Sequence, residues 1–465
     1  MSQERDPSQP LVLLIGTLDK EGILSALKTA GWQYKIKRLD SSPENWASIN
    51  SYFGTFNIRC ALVKLTGISC ELLTSLQYQD LRDRLLTNLA LVPHIIFMHE
   101  ELLSEEGDRE GKDTNEESHI EWDTEDDLWP ISIYTPSIET RKAAIEVLAA
   151  RNLKVVPYRR NAELTVMASL FLADAEEGLL FRLYVPSGRL WANEIDRLLQ
   201  LFRDYLSRIG HITVRLDQKR TEGGIVYAFF GPSGAGVDEG SIERSLAPQF
   251  QEFTEFLDLC VINPSLAEDI LKSKNLDARE INGIMIRYAK EAKRIQVDLK
   301  HEREQKILSI RHRLESELID VLPPSTDWNI VTALVDATVP TVPGISPALS
   351  NGGGHLNQIT AAVNINYSPQ IINAMNSIVA SEIEGNVSLT NMDRTILDLV
   401  GRYAGNQELE LTSALHELGD ASVPNPSRLL AKQRLKAFLA QVGSKATDIS
   451  IGLLQAYLEK KFGFS

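Results

Sequence analysis

Leu11-Val-Leu-Leu-Ile15, closed by Gly16, is five apolar residues in a row with no polar alternation. A strand with one wet face alternates; an unbroken apolar run ended by a turn residue is the pattern of a strand covered on both faces. The chain around it repeats the same logic. Asp19 to Ala30 has helical spacing and stops at Gly31, Tyr34 to Leu39 reads as a second strand, and Pro43 to Tyr52 as a short helix. Cys60-Ala-Leu-Val-Lys-Leu65 gives a third strand, Glu71 to Leu91 a longer helix, and His94-Ile-Ile-Phe-Met98 a fourth strand. Strands separated by helix-length segments imply a parallel sheet with crossover helices, here assigned to 1–99.

Residues 100–128 interrupt this pattern. Glu, Asp, Ser, Asn and Gly dominate from Glu100 to Asp127, a composition with little to bury, and it reads as a disordered acidic insertion. From 129 to 240 a second α/β or α+β segment is expected. It starts with a strand at Ile131–Tyr134, a helix at Ser137–Arg151 and a strand at Val155-Val156, followed by a helix at Ala162–Ala175 and a strand at Leu179–Val185. An amphipathic helix (Leu190–Ile209) then leads to strands His211–Leu216 and Ile225–Phe230. Thr221-Glu-Gly-Gly224 between those strands is the turn of an antiparallel hairpin.

Residues 241–276 read as a helical connector into Asp277–Leu322, a run with no Pro and one Gly near its start. At about 1.5 Å per residue such a helix reaches on the order of 60 Å, long enough to join two bodies. Its apolar positions, Ile284, Tyr288, Ala292, Ile295 and Leu299, then Ile307, Ile310, Leu314 and Leu318, flank a polar middle, His301-Glu-Arg-Glu-Gln-Lys306. Two packed ends and a solvated waist are therefore expected. Pro323, Pro324 and Gly352-Gly-Gly354 mark 323–358 as a flexible linker. Residues 359–465 form a helical C-terminal domain, with one strand at Ile359–Ile365 and a last helix at Ala446–Phe462. The fold class is thus an α/β N-terminal half with a small α+β unit, a long connecting helix and a mainly α C-terminal domain.

Composition narrows the function. The 465 residues carry a net charge of −15 with 43% hydrophobic and 24% charged residues, ordinary for a globular protein but adverse to broad nucleic-acid binding. No apolar run reaches the roughly 18 residues of a membrane span, and the polar start lacks the apolar core of a secretory signal. Cys60, Cys70 and Cys260 have no metal or CxxC spacing, and no HExxH or Gly-x-Ser-x-Gly occurs. A cytoplasmic location is expected. Gly231-Pro-Ser-Gly-Ala-Gly236 has the outer glycines of a phosphate loop, but Val237 and Asp238 stand where the lysine and hydroxyl are needed.

A parallel sheet has its ligand crevice beyond the carboxyl ends of its strands. Gly16, Thr17, Asp19, Lys20, Thr66 and Gly67 would border it, small residues admitting backbone close to a ligand and Lys20 meeting a phosphate. Over roughly Leu11 to Met98 the region resembles the flavodoxin-like receiver and TIR domains of bacterial signalling and conflict-system proteins. Receivers carry a phosphoacceptor Asp at the end of the third strand; Lys64-Leu-Thr-Gly67 has none, so phosphorylation is not expected. The TIR resemblance implies a catalytic carboxylate on the next helix, where Cys70-Glu71-Leu72 stands, though the family's spacer between Cys and Glu is missing. Glu71 would then be the centre of an NAD-cleaving site.

The layout leads to the expectation of a cytoplasmic regulatory protein, of an anti-phage or conflict system, that senses a ligand or partner through the α/β half. Assembly, as a homo-oligomer or with a protein partner, would use the long helix and the C-terminal helices. A TIR-like NAD-cleaving enzyme and a ligand-free structural scaffold are the alternatives. Membrane contact by the last helix is not expected, and the residues point to no particular cofactor.

Overall fold

The computed structural model describes 10–103 apart from 19 and 30, 134–231 apart from 152, 154, 190 and 210–212, 246–318 apart from 275, eight isolated positions between 335 and 385, 389–442 and 451–462. Most of the acidic insertion, the linker, the Ile359–Ile365 strand and the glycine loop beyond Gly231 lie outside these residues.

In chain order the first elements are β1 (Leu11–Ile15), α1 (Lys20–Thr29), β2 (Gln33–Lys37), α2 (Pro43–Thr55), β3 (Ile58–Leu65), α3 (Gly67–Thr74) and α4 (Gln79–Ala90). They are followed by β4 (His94–His99), α5 (Glu100–Leu103), α6 (Ile138–Ala149), β5 (Val155–Tyr158) and α7 (Asn161–Glu177). Five parallel strands stand in the order β2-β1-β3-β4-β5. The sheet therefore continues past residue 99, and its last strand comes from beyond the acidic insertion. All five residues of β1 are buried, as its unbroken apolar run requires. β2 lies at an edge with Lys35 and Lys37, charges that discourage a further strand from pairing there.

Both faces are covered. Leu11, Leu13, Ile15, Val63 and Ile96 share a core with Trp46 of α2, Cys70 of α3, Leu86 of α4 and Leu148 of α6. On the other side α1 meets α7 so closely that a Cβ on Gly22 would stand 2.4 Å from Thr165 Cγ2. The single helix expected from Glu71 to Leu91 is two. Ser75 is extended, a short 3-10 turn (Leu76–Tyr78) follows, and Tyr78 donates its hydroxyl to Ser41 O at 2.9 Å. Trp46 packs edge-on against Tyr78 and donates Nε1–H to Leu39 O at 2.8 Å, so the turn after β2 is held from two sides. The strand expected at Ile131–Tyr134 lies outside the described residues except for Tyr134, which is not in a strand.

Beyond these come β6 (Leu179–Pro186), α8 (Ala192–Arg208), β7 (Arg215–Arg220), β8 (Gly224–Phe230), α9 (Leu246–Ile262), α10 (Pro264–Lys272) and α11 (Ala278–Leu318). The chain closes with α12 (Asn391–Tyr403), α13 (Glu408–Gly419), α14 (Asn425–Val442) and α15 (Ile451–Phe462). The expected hairpin forms: β7 and β8 are antiparallel, and the small sheet has the order β6-β8-β7. The chain divides into two compact units, Met1–Glu176 with Lys436–Ile451, and Glu177–Leu435 with Gly452–Ser465.

The long helix is continuous, and its waist from His301 to Lys306 has no buried residue, as the spacing requires. Its first end is packed, as expected. Ile281, Ile284, Tyr288, Ala292, Ile295 and Leu299 belong to the core of the second unit, beside Phe202, Phe250 and Phe253. Tyr288 meets Phe253 and Phe256 edge-on and donates its hydroxyl to Asp204 Oδ2 at 3.1 Å.

In the same unit one carboxylate ties α13 to the hairpin turn. Asp420 accepts from Tyr184 Oη at 2.8 Å, Thr221 Oγ1 at 2.7 Å, Gly223 N at 3.2 Å and Ser422 N at 2.9 Å. Burial pushes its pKa up, but the hydrogen bonds from Ser422, Thr221 and Tyr184 outweigh that and hold it at about 2. His416 of α13 is buried, and desolvation together with Arg189 and Lys461 pushes its pKa well down, so it sits neutral while Arg189 Nη1 donates to its Nδ1 at 3.2 Å.

The pH dependence follows from these two groups. Asp420 has a depressed folded pKa, so its stabilisation is complete above the unfolded value of 3.8 and is lost as pH falls through about 2. Asp420→Asn should cost roughly 2 kcal/mol at about pH 6, with the gap to wild type closing below about pH 4 in urea unfolding. An unchanged gap across that range would exclude the clasp. His416 works higher on the scale. Because its neutral form is the folded one, stability should begin to fall as acid passes its ordinary value of 6.5.

Candidate functional site at the carboxyl edge of the parallel sheet

The strand order reverses between β1 and β3, which places the crevice of a doubly wound sheet between the loops that leave them. The β1 loop begins at Gly16. Its φ of +97° and the 2.3 Å that would separate a Cβ from Lys64 O both demand glycine there. Gly16 N donates to Lys37 O at 2.8 Å, so the turn is stitched to the edge strand. Thr17 is exposed and Lys20 is the first residue of α1, while Asp19 lies outside the described residues.

On the β3 side Thr66 is the N-cap of α3. Its hydroxyl accepts from Ser69 N at 3.2 Å and donates to Asp40 Oδ2 at 2.9 Å. Ser69 Oγ donates to the other oxygen, Asp40 Oδ1, at 2.5 Å. One half-buried carboxylate after β2 thus gathers two hydroxyls from the start of α3, and the Trp46–Tyr78 contact fixes the turn that carries it. Neither Asp40 nor Ser69 was among the residues expected at the crevice. The signal was Leu39-Asp40-Ser41: an acid directly after a strand adjoining the reversal point.

Gly67 has a packing role. A Cβ there would lie 2.0 Å from Tyr134 O and 2.9 Å from Pro136 Cδ, because the segment after the acidic insertion crosses the first turn of α3. That crossing also delivers Tyr134, whose hydroxyl donates to Glu71 Oε1 at 2.5 Å. The bond to Glu71 raises the Tyr134 pKa, since it favours the protonated phenol. Glu71 is exposed and is the fifth residue of α3, past the first turn rather than in it. Two residues along a helix is about 200° of rotation, so Glu71 and Ser69 project from opposite sides. The structure therefore separates the expected residues into an Asp40–Thr66–Ser69 network and a Glu71–Tyr134 pair.

On the opposite face of the same edge, Lys64 Nζ stands 5.2 Å from the Tyr158 ring centroid and 3.4 Å from Asn161 Oδ1. Burial pushes the Tyr158 phenol to about 12 and the Cys70 thiol beside Glu71 likewise to about 12, in the latter case against the pull of Arg141. A thiol so protonated is no nucleophile at neutral pH. Among the described residues no group of three His, Cys, Asp or Glu side chains converges as a metal site would need. Among the described residues the edge offers the Thr66 and Ser69 hydroxyls, the Asp40 carboxylate and the Lys64 amine. No family model, curated protein or solved structure matches this chain.

Thr66→Val keeps the shape of the side chain and removes both the cap and the donor to Asp40. It should destabilise the first unit by about 1–2 kcal/mol. Thr66→Ser should restore most of that loss in thermal melts; a Val variant as stable as wild type would show that the network carries no load.

Proposed function

We propose that this chain is a multidomain regulatory protein, of the kind used in bacterial signalling and in conflict with invasive elements. In this reading a small polar ligand or a partner is sensed at the carboxyl edge of the parallel sheet, and helices of the second unit assemble the protein. The observation that carries it is the Asp40–Thr66–Ser69 network at the reversal point, with exposed Thr17 and the helix-starting Lys20 on the other loop. The strand order β2-β1-β3-β4-β5 supports it, being an order that uses this crevice for ligands.

Thermal melts with a panel of nucleotides and nucleotide-sugar fragments test the reading. A true ligand at about 100 times its Kd adds roughly 2.7 kcal/mol of stability. That gain should vanish in Asp40→Asn and persist in Glu71→Gln. No stabilisation by any member of the panel, in any assembly state, would leave the scaffold reading.

A second reading is favoured by one feature, the solvent-facing Glu71 carboxylate with the Tyr134 phenol as donor. It makes the protein an NAD-cleaving enzyme in which Glu71 engages the ribose as nicotinamide leaves. Release of nicotinamide on incubation with NAD, abolished by Glu71→Gln, supports this enzyme; absence of turnover at every protein concentration excludes it.

A further inference from the structure

The outward face of α11 carries a pattern that bears on how helices of the second unit would assemble the protein, and the inference rests on that part of the reading. Ile286, Val297 and Leu308 are 65%, 45% and 62% exposed. They recur every eleven residues, about three helical turns, and so form one stripe roughly 33 Å long, turned away from the buried seam of Tyr288, Ala292 and Ile295. Lys290, Lys293, Arg294 and Lys300 fall within about 60° of this stripe, and all four are exposed.

Between Ile286 and His301 this face has no carboxylate; from there to Leu308 it has one, the exposed Glu304. Glu291 and Asp298 lie on the flank, where Arg197 Nε donates to Glu291 at 2.9 Å and its Nη1 is 3.9 Å from Asp298. Arg294 reaches Asp298 only at 4.0 Å, and Lys290, Lys293 and Lys300 form no ion pair with a described residue. Like charges one turn apart repel. A chain with a net charge of −15 has thus collected uncompensated cations, interleaved with exposed aliphatic groups, on one helix face.

The complementary composition occurs in the same sequence. In 104–127 the carboxylates far outnumber Arg109 and Lys112, and Ile120 and Trp122 sit among them. We infer that the Ile286–Leu308 face of α11 docks the acidic stretch 104–127 of a second copy of this chain. Carboxylates would meet Lys290, Lys293 and Lys300, and Ile120 and Trp122 would cover the aliphatic beads. Nucleic acid would satisfy the lysines but leave Ile286, Val297 and Leu308 facing a polyanion, which is why a peptide segment is the better fit. This inference stands apart from the ligand reading of the sheet edge and fails separately from it.

Sedimentation velocity of the full chain across a salt series is the test. Self-association should be present at low salt and weaken steeply as salt screens the pairs. Reversal of the face (Lys290→Glu, Lys293→Glu, Lys300→Glu) should weaken it at least about tenfold, as should reversal of the segment (Glu116→Lys, Glu117→Lys, Glu121→Lys). The substituted face is exposed, so melting curves should stay near wild type. Mixing each variant with wild type cannot decide the matter; mixing the face variant with the segment variant can. The first retains the acidic stretch and the second the basic face, so one intact contact per pair re-forms and association returns. Association indifferent to both reversals overturns the inference, as does failure of the mixture to associate. Lysine-dependent binding of a DNA duplex tighter than the self-association overturns it too, in favour of a nucleic-acid face.

Discussion

The constraint on which the first unit depends is that its apolar strands must be covered on both faces. β1 and the centre of β3 have no polar side to turn to water, so helices must lie above and below. Right-handed crossovers satisfy this only if the chain reverses its direction across the sheet, and here it does so between β1 and β3. The crevice is a by-product of that packing. Its occupants, Thr66 and Ser69 on one side and the β1 loop on the other, are placed by burial of Cys70, Leu73 and Trp46 beneath them.

The second unit solves a different problem. Its three-stranded sheet has a charged edge strand, β7, and gains its core from aromatic side chains on α8, α9 and α11. Buried polar bonds then select one arrangement of the C-terminal helices. Asp420 is the clearest case, since five donors from a strand, a hairpin turn and its own loop converge on it. Left without those donors, a carboxylate so buried would cost several kcal/mol or take up a proton.

These two arrangements bear differently on function. Three of the residues expected at the sheet edge are also structural: Gly16 and Gly67 make room for backbone, and Thr66 caps a helix. The α11 face is the reverse. Its inward residues build the core, and its outward Lys290, Lys293 and Lys300 are exposed.

The strands were legible because their signal is local. Leu11–Ile15, Cys60–Leu65 and His94–Met98 are apolar runs that no other element explains, and the hairpin turn at Thr221–Gly224 declared itself by its glycines. The continuity of α11 was legible for the same reason, from the absence of breakers and the spacing of Ile284, Tyr288 and Ile295. What lay beyond local pattern was which faces meet. The extended Ser75 that divides α3 from α4 is stabilised by Tyr78 reaching Ser41, a contact between residues far apart in sequence. The partners Asp40–Ser69, Tyr134–Glu71 and Asp420–Tyr184 are likewise long-range. Local pattern was enough for the buried strands, the hairpin and α11, since periodicity follows from backbone geometry, but not for the break at Ser75. Only the tertiary structure decided that the first half of α11 lines a core with α8 and α9, because burial depends on what the rest of the chain presents to each helix face.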